Sequence, residues 1–513
     1  MADNQRGENG KIDKFLLKVW VGITVYLAGN AIAQALASKT ASFDDAEQLL
    51  LTQDWSLGYG DQPPLYTYLA KLTFIITGPS LLGLFILKAI IISLLAKALI
   101  LISKELRFRK DQHIVSLCGF ALIPQFTWSS QTSLTHSVLA TTVASYTLWM
   151  LIKLSKNPSR PAHWAWLGVF VAGGILSKYN FAVFLAGLIT GSLLVPKIRS
   201  LFTQRGILVA LGSSLILLIP HMTWIASHSD LALSGIRDAK ATNLPSVAWP
   251  FIGFGVAFAF LSPFWIAALA LIWPERLRLL IAEQSKEPAK ALIQRLPLVM
   301  MSSILVFIIV ITRDVIPRSH WFQCLLFFTP ISAASLLPPI PNTRVKWLTA
   351  SALAGAAATT AIMVGSIALA GITGKSRVRN QPTTELIASL RKNNKAPDLI
   401  VTNNISIAGN SRLAYPEITV LNLPKEEGQT QKNIANHETF KGKYQRVLIV
   451  AASEADLSEI ASRIIDLDPS LHQLSNDSKT RQYYWVPNKK LTLFFSWLSH
   501  SSWHPRQLNP LIH

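Results

Sequence analysis

Long apolar segments, separated by short polar connections, fill the chain up to about residue 371. A helix of about 20 apolar residues crosses the hydrocarbon core of a bilayer, and eleven segments approach that length. They are residues 15–36, 80–103, 112–131, 135–153, 162–178, 180–196, 206–226, 248–272, 295–312, 321–338 and 346–371. The shorter segment 65–78 is predicted to be re-entrant or interfacial, with a further span as the alternative. The pattern predicts an α-helical polytopic membrane protein with about 11–13 transmembrane helices.

Lysine and arginine are concentrated in alternate connections between these segments. The positive-inside rule places the richer connections in the cytoplasm, together with the N-terminal Lys11, Lys14 and Lys18. With eleven spans, the acidic connection 37–79 and the chain after about residue 372 then face the outer side of the membrane. We therefore expect any chemistry of the acidic connection to take place outside the cytoplasm.

The C-terminal part has a different pattern. The runs "DLIVTNN" (398–404), "RVLIVAA" (446–452) and "QYYWVP" (482–487) predict short strands, and "EADLSEIASRII" (454–465) has helical apolar spacing. Strands that alternate with a helix indicate a small α/β domain. The chain is therefore divided into a transmembrane domain, residues 1–371, and a soluble α/β domain, residues 372–513.

Composition supports a membrane protein and weakens two other classes. Half of the residues are hydrophobic and 15% are charged, whereas soluble proteins carry about 25% charged residues. The net charge of +20 would suit a nucleic-acid partner, but the basic residues punctuate apolar segments and form no single face, so we expect none. Cys118 and Cys324 lie inside apolar segments, which predicts packing rather than a disulfide or a metal site.

Adjacent acidic residues directly after the first span are the main candidate for chemistry. Asp44 and Asp45 could provide a general base for a substrate hydroxyl, or they could be ordinary solvated loop charges. Asp61 precedes Pro63 and Pro64, whose fixed backbone angles would make a stiff corner, although an ordinary turn is an equal alternative.

Basic residues at the outer ends of two later segments point to an anionic ligand. Lys178 and Tyr179 lie in "GILSKYN" (174–180), and Arg318 and His320 lie in "RDVIPRSHW" (313–321). Basic side chains often only anchor a helix at the membrane interface, yet the positive-inside rule disfavours these positions, and arginine suits phosphate. His136, in "LTHSVLA" (134–140), is either a helix-end packing residue or a catalyst. We find no metal-ligand spacing and expect no cofactor, with a role for a divalent cation left open.

In this order the motifs resemble bacterial GT-C glycosyltransferases of the protein-mannosyltransferase-like superfamily, in particular lipid A aminoarabinose transferases and rhizobial galacturonosyl transferases. The resemblance is carried by Asp44-Asp45-Ala46 and by "GYGDQPPL" (58–65), "LSKYN" (176–180), "PRSHWFQCLLFFTPI" (317–331) and "IAGNSRLAYPEITV" (407–420). It covers nearly the whole chain and implies the GT-C fold.

The resemblance also implies an activity and its partners. It predicts a bacterial inner-membrane enzyme, with its active site and C-terminal domain in the periplasm, that moves a sugar from a polyprenyl-phosphate donor to a lipid or glycan acceptor such as lipid A or the lipopolysaccharide core. By resemblance Asp44 and Asp45 would be catalytic, with Asp44 the base, and Lys178 and Arg318 would bind the donor phosphate. The further substrate-binding candidates are Tyr59, Asp61, Gln62, His136, Tyr179 and His320.

Two departures from the family pattern leave alternatives open. Ser137 stands where the family often has aspartate, and His320 stands where it has arginine. A protonated His320 could still hold phosphate, which predicts a rise in activity at mildly acidic pH. A transporter or flippase for a lipid-linked sugar, and a GT-C scaffold that binds its donor without turnover, are the alternative functions.

Overall fold

The computed structural model describes residues 2–232, 249–272, 285–311, 318–391, 396–423 and 442–500. The chain forms two compact units, and each is built from separate stretches of sequence. The first comprises Met1–Gln34, Ser56–Leu69 and Phe85–Met363, and the second comprises Ala35–Trp55, Ala70–Leu84 and Val364–His513.

Helices make up nearly all of the first unit, and most of them coincide with predicted apolar segments. The main helices up to residue 368 are α1 Ala2–Ala37, α2 Phe43–Leu51, α3 Leu65–Thr77, α4 Leu81–Glu105, α5 Lys110–Ala121, α6 His136–Lys156, α7 Pro161–Ser177, α8 Phe181–Leu193, α9 Gly206–Ser227, α10 Trp249–Phe260, α11 Ser262–Ile272, α12 Pro288–Ile311, α13 Thr329–Leu336 and α14 Asn342–Ala368. The predicted polytopic helical architecture is confirmed.

Within the described residues, six helices are long and apolar enough to cross a membrane, or up to eight if each of two bent pairs forms one span. This is fewer than the eleven predicted, because segments 112–131 and 321–338 are divided into shorter helices and α7 has only 17 residues. The segment predicted to be re-entrant or interfacial forms the 13-residue helix α3.

Proline explains one of these divisions. After α5 the chain reaches Pro124 and then forms a π-helix, Gln125–Ser129, because a proline ring cannot fit into a regular α-helical interior. Phe126 of this π-helix stacks on Phe120 at 4.1 Å between ring centroids and contacts Phe260 edge-on. The break therefore lies inside a packed aromatic cluster of the first unit.

The second unit contains α2 and a mixed sheet with flanking helices. Its strands are β1 Leu399–Thr402, β2 Thr419–Asn422, β3 Arg446–Ala451, β4 Leu471–Tyr483 and β5 Val486–His500, in the order β2-β1-β3-β5-β4. The main helices are α15 Thr383–Ala388, α16 Ile405–Ala414 and α17 Glu454–Leu467. Strands β1, β2 and β3 are parallel, and β5 is antiparallel to β3 and β4. The predicted α/β domain is confirmed.

One predicted strand is wrong. Residues 482–487 do not form a single strand, because the chain turns between Tyr483 and Val486 to join β4 to β5. Trp485, in the turn, has a φ of 63°, a left-handed conformation that lies outside the β region. The aromatic and β-branched residues of 482–487 give this segment the composition of a strand. The turn at Trp485 is a property of the backbone, which composition does not show.

Candidate active site

The two predicted catalytic carboxylates lie in the first turn of α2, within the second unit. Asp44 is half-buried, whereas Asp45 is fully buried. The exposed N–H groups and dipole of a helix N-terminus favour a negative charge there. Ser42, the residue before the helix, donates its hydroxyl to Asp45 Oδ2 at 2.6 Å, and Arg379 Nη2 lies 3.6 Å from the same oxygen. The two carboxylates are therefore not equivalent, since Asp45 is held inside the protein.

In the first unit, the segment 58–65 forms a tight turn. The backbones of Tyr59 and Gln62 exchange two hydrogen bonds, each 3.1 Å long, and Gly60 has a φ of 63° that glycine adopts without strain. The Tyr59 hydroxyl accepts a hydrogen bond from the backbone of Ser56. Asp61 is placed at the tip of this turn by the glycine and the reciprocal backbone bonds, followed by the predicted proline corner.

Lys178 is the residue at the C-terminal end of α7. Its Nζ donates to the Ser137 hydroxyl at 2.6 Å, and this serine brings no negative charge to the lysine. His136 is buried, packs on the Tyr66 ring at 5.3 Å, and donates its Nδ1–H to the Ser177 carbonyl at 3.2 Å. His136 and Ser137 thus fix the helix end that carries Lys178.

The second predicted cationic segment is brought to the same place. The Asn180 amide donates to the Trp321 carbonyl at 2.8 Å, which joins the 178–181 turn to the 3-10 helix Ser319–Phe322. Burial, together with the positive charges of Lys178 and Arg318, lowers the pKa of His320 to about 3. Lys178, Arg318 and His320 therefore form one group, which we call the cationic cluster. His320 stays neutral at mildly acidic pH, contrary to the expectation from sequence.

Tyr179 connects the turn at residues 58–65, which carries Asp61, to the cationic cluster. Burial and the charge of Asp61 raise the pKa of Tyr179 to about 12, so its hydroxyl remains a donor. That hydroxyl lies 3.2 Å from His221 Nε2, while His221 Nδ1 lies 2.7 Å from the Leu57 carbonyl. Because a carbonyl only accepts, Nδ1 carries the proton and Nε2 accepts from Tyr179. The turn that carries Asp61 is thereby tied to the residue next to Lys178.

Three residues of these arrangements, Asn180, His221 and Arg379, are not among the site candidates selected from the sequence. His221 had a usable signal, since it shares one face of α9 with Trp224 and their rings stack at 5.9 Å. Arg379 had none, because its contact with Asp45 joins distant parts of the chain. Among the described residues, no group of three or more His, Cys, Asp or Glu side chains could hold a metal ion.

Comparison with known proteins identifies the fold. Residues 61–224 match the family model of dolichyl-phosphate-mannose-protein mannosyltransferase. The fold matches the crystal structure of ArnT from Cupriavidus metallidurans bound to undecaprenyl phosphate with a TM-score of 0.63, at 10% identity over 96% of this chain and 99% of that one. The apo ArnT structure gives 0.60 at 11% identity, over 94% and 98% of the two chains. The fold is therefore the GT-C fold of membrane glycosyltransferases, as the sequence predicted.

Two proteins of known name are similar to this chain in sequence. The chain is 27% identical over 412 residues to the lipopolysaccharide core galacturonosyltransferase RgtB of Rhizobium johnstonii, and 24% identical over 416 residues to RgtA of the same organism. Each match covers 78% of this chain and 81% of the relative. The predicted resemblance is confirmed: the chain is similar in sequence to two lipopolysaccharide core galacturonosyltransferases and has the GT-C fold.

Proposed function

We propose that this chain is an inverting glycosyltransferase of the bacterial inner membrane, which moves a sugar from a polyprenyl phosphate to a lipopolysaccharide acceptor on the periplasmic side. The homology to two lipopolysaccharide core galacturonosyltransferases over most of the chain carries this proposal. The structural match to ArnT with bound undecaprenyl phosphate supports a lipid-linked donor. Galacturonic acid is the first sugar to test.

The cationic cluster supports a phosphate-binding role. Lys178 and Arg318 are close enough for both charges to act on His320, and such fixed cations stabilise charge that grows on a departing phosphate. One partner of Lys178, at 2.6 Å, is the neutral Ser137 hydroxyl. With no phosphate bound, His320 is neutral, and a neutral imidazole can donate one hydrogen bond to a phosphate oxygen.

In the proposed reaction Asp44 accepts the proton of the acceptor hydroxyl. The oxygen attacks the anomeric carbon from the face opposite the phosphate and forms the new glycosidic bond. The bond from the anomeric carbon to the phosphate oxygen breaks, and the polyprenyl phosphate leaves with both electrons. Asp61, Tyr59, Gln62 and Tyr179 hold the sugar.

The activity is tested with the full-length protein in lipid nanodiscs. Polyprenyl phosphates carrying galacturonic acid or aminoarabinose are supplied with lipid A or core oligosaccharide, and mass spectrometry detects an acceptor heavier by one sugar. Formation of that product with equimolar release of polyprenyl phosphate supports the proposal. Binding of donor with no product would identify a scaffold, and movement of uncleaved donor across the bilayer of a vesicle would identify a flippase.

A further inference from the structure

We propose that Arg379 and Asp45 form a positioning pair through which the C-terminal α/β domain sets the place of the catalytic base. This inference rests on the proposed function, in which Asp44 reacts and Asp45 does not. It assigns Asp45 a role other than the catalytic one predicted from the sequence. Both α2 and the sheet belong to the second unit.

The pair is buried and held on both sides. Asp45 is 0% exposed and the side chain of Arg379 is 11% exposed, with 3.6 Å between Arg379 Nη2 and Asp45 Oδ2. A buried ion pair persists only when both charges find partners, and Ser42 supplies a further hydrogen bond to the same carboxylate oxygen. Arg379 is in turn fixed by its own backbone, whose carbonyl accepts from the Ser38 hydroxyl at 2.8 Å.

The segment that leads into α2 is fastened to the domain by a second set of contacts. The backbone N–H of Ala41 donates to Asn410 Oδ1 at 2.9 Å, and Thr384 donates to the same oxygen at 2.7 Å. Asn410, on α16, is completely buried. The hydroxyl of Thr40 donates to the Gln381 carbonyl at 2.5 Å. The start of α2 is therefore fixed by residues of two C-terminal helices and of the connection before them.

The body and the end of α2 are held as well. Gly409 lies so close to α2 that a Cβ built on it would come within 2.3 Å of the backbone of Ala46. Leu50 belongs to the same buried cluster as residues of α16 and of the sheet. The Gln53 side chain exchanges two hydrogen bonds, of 2.9 and 2.8 Å, with the backbone of Val420 on the edge strand β2.

These contacts determine the direction of Asp44. Successive residues of an α-helix point about 100° apart, so a helix whose Asp45 is locked into the domain turns its neighbour Asp44 in one fixed direction. Asp44 is half-buried and Asp45 fully buried, as this geometry requires. A small rotation or shift of α2 moves the reacting carboxylate, and a displacement of about 1 Å can cost about 100-fold in rate.

The test compares Arg379→Gln with Arg446→Gln, a matched control in the same domain. Arg446, at the start of β3, pairs with Asp398 at 2.5 Å. We expect Arg379→Gln to lower kcat about 100-fold and to leave the donor KM within about 2-fold. The double variant Asp45→Asn/Arg379→Gln, which leaves no unpaired charge, should regain at least about 10-fold in kcat. Arg446→Gln should stay within about 2-fold of wild type.

Hydrogen exchange provides a readout that needs no activity. In Arg379→Gln the amides of residues 43–51 should exchange about 10-fold faster, while those of β3 keep the wild-type rate. If Arg379→Gln is not recovered folded, Ser42→Ala is the decisive variant, because it removes a hydrogen bond to Asp45. Ser42→Ala should lower kcat about 5-fold and leave KM unchanged. The inference is overturned if wild type transfers sugar and the decisive variant keeps both its kcat and its exchange in α2. Absence of transfer by wild type would instead refute the proposed function.

Discussion

Replacing Gly409 by alanine should displace the helix that carries Asp44. The added Cβ would lie 2.3 Å from the Cα and the carbonyl oxygen of Ala46, whereas ordinary van der Waals contact begins at 3.4 Å. The obstacle is backbone, so no side chain can rotate away, and α2 and α16 must separate by about 1 Å. A shift of that size at a reacting group lowers kcat by about 100-fold. Overpacking of this kind also destabilises a fold by about 1–3 kcal/mol.

The assay is sugar transfer in nanodiscs at saturating donor, with the amount of folded protein measured by size-exclusion chromatography. Gly355→Ala is the matched control, because nothing lies within 4 Å of a Cβ built at that helical position. We expect the control to keep wild-type kcat and Gly409→Ala to lose about two orders of magnitude without a change in donor KM. If folded Gly409→Ala kept kcat within about 3-fold of wild type, the position of α2 would not limit catalysis and the reasoning would be refuted.

Three further predictions concern the first unit. Lys178→Gln should weaken binding of polyprenyl phosphate by about 10-fold or more, as measured by fluorescence titration. Lys197→Gln, at an exposed position, should leave this affinity unchanged. Equal effects of the two substitutions would reject a specific phosphate contact. Because the pKa of His320 is held near 3, the imidazole is neutral between pH 5 and 8. The profiles of kcat/KM for wild type and His320→Asn should therefore be parallel over that range, and a rise confined to wild type below pH 6 would contradict the assignment. Gly58→Ala should lower transfer by about 10-fold, because its Cβ would come within 2.3 Å of the Trp224 indole and displace the turn; unchanged transfer would show that the turn holds no substrate.

The polytopic fold could be predicted because long apolar runs are sufficient for bilayer helices. The number of uninterrupted membrane-spanning helices could not be predicted from the sequence. The segment 112–131 is apolar throughout most of its length, yet it breaks at Pro124 into a π-helix, and the 321–338 segment divides into short helices. Hydrophobicity reports that a segment avoids water, whereas the continuity of its helix depends on proline and on packing.

The candidate site shows the same limit at the level of single residues. Lys178 and Tyr179 were predicted from their charge and position, and the structure adds their partners Ser137 and His221. Asp45 looked equivalent to Asp44 in the sequence. Its burial depends on an arginine more than 300 positions away, and local pattern cannot reveal such a contact. Non-local packing therefore decides which of two adjacent acidic residues is fully buried.

The central claim is that Asp44 accepts the proton of the acceptor hydroxyl during sugar transfer. Its most direct test is single-turnover transfer by Asp44→Asn at saturating donor, with donor affinity measured on the same preparation. A general base contributes about 10²–10⁴-fold, so we predict a loss of at least 100-fold in the transfer rate with donor affinity within about 2-fold of wild type. A rate within about 3-fold of wild type would contradict the account.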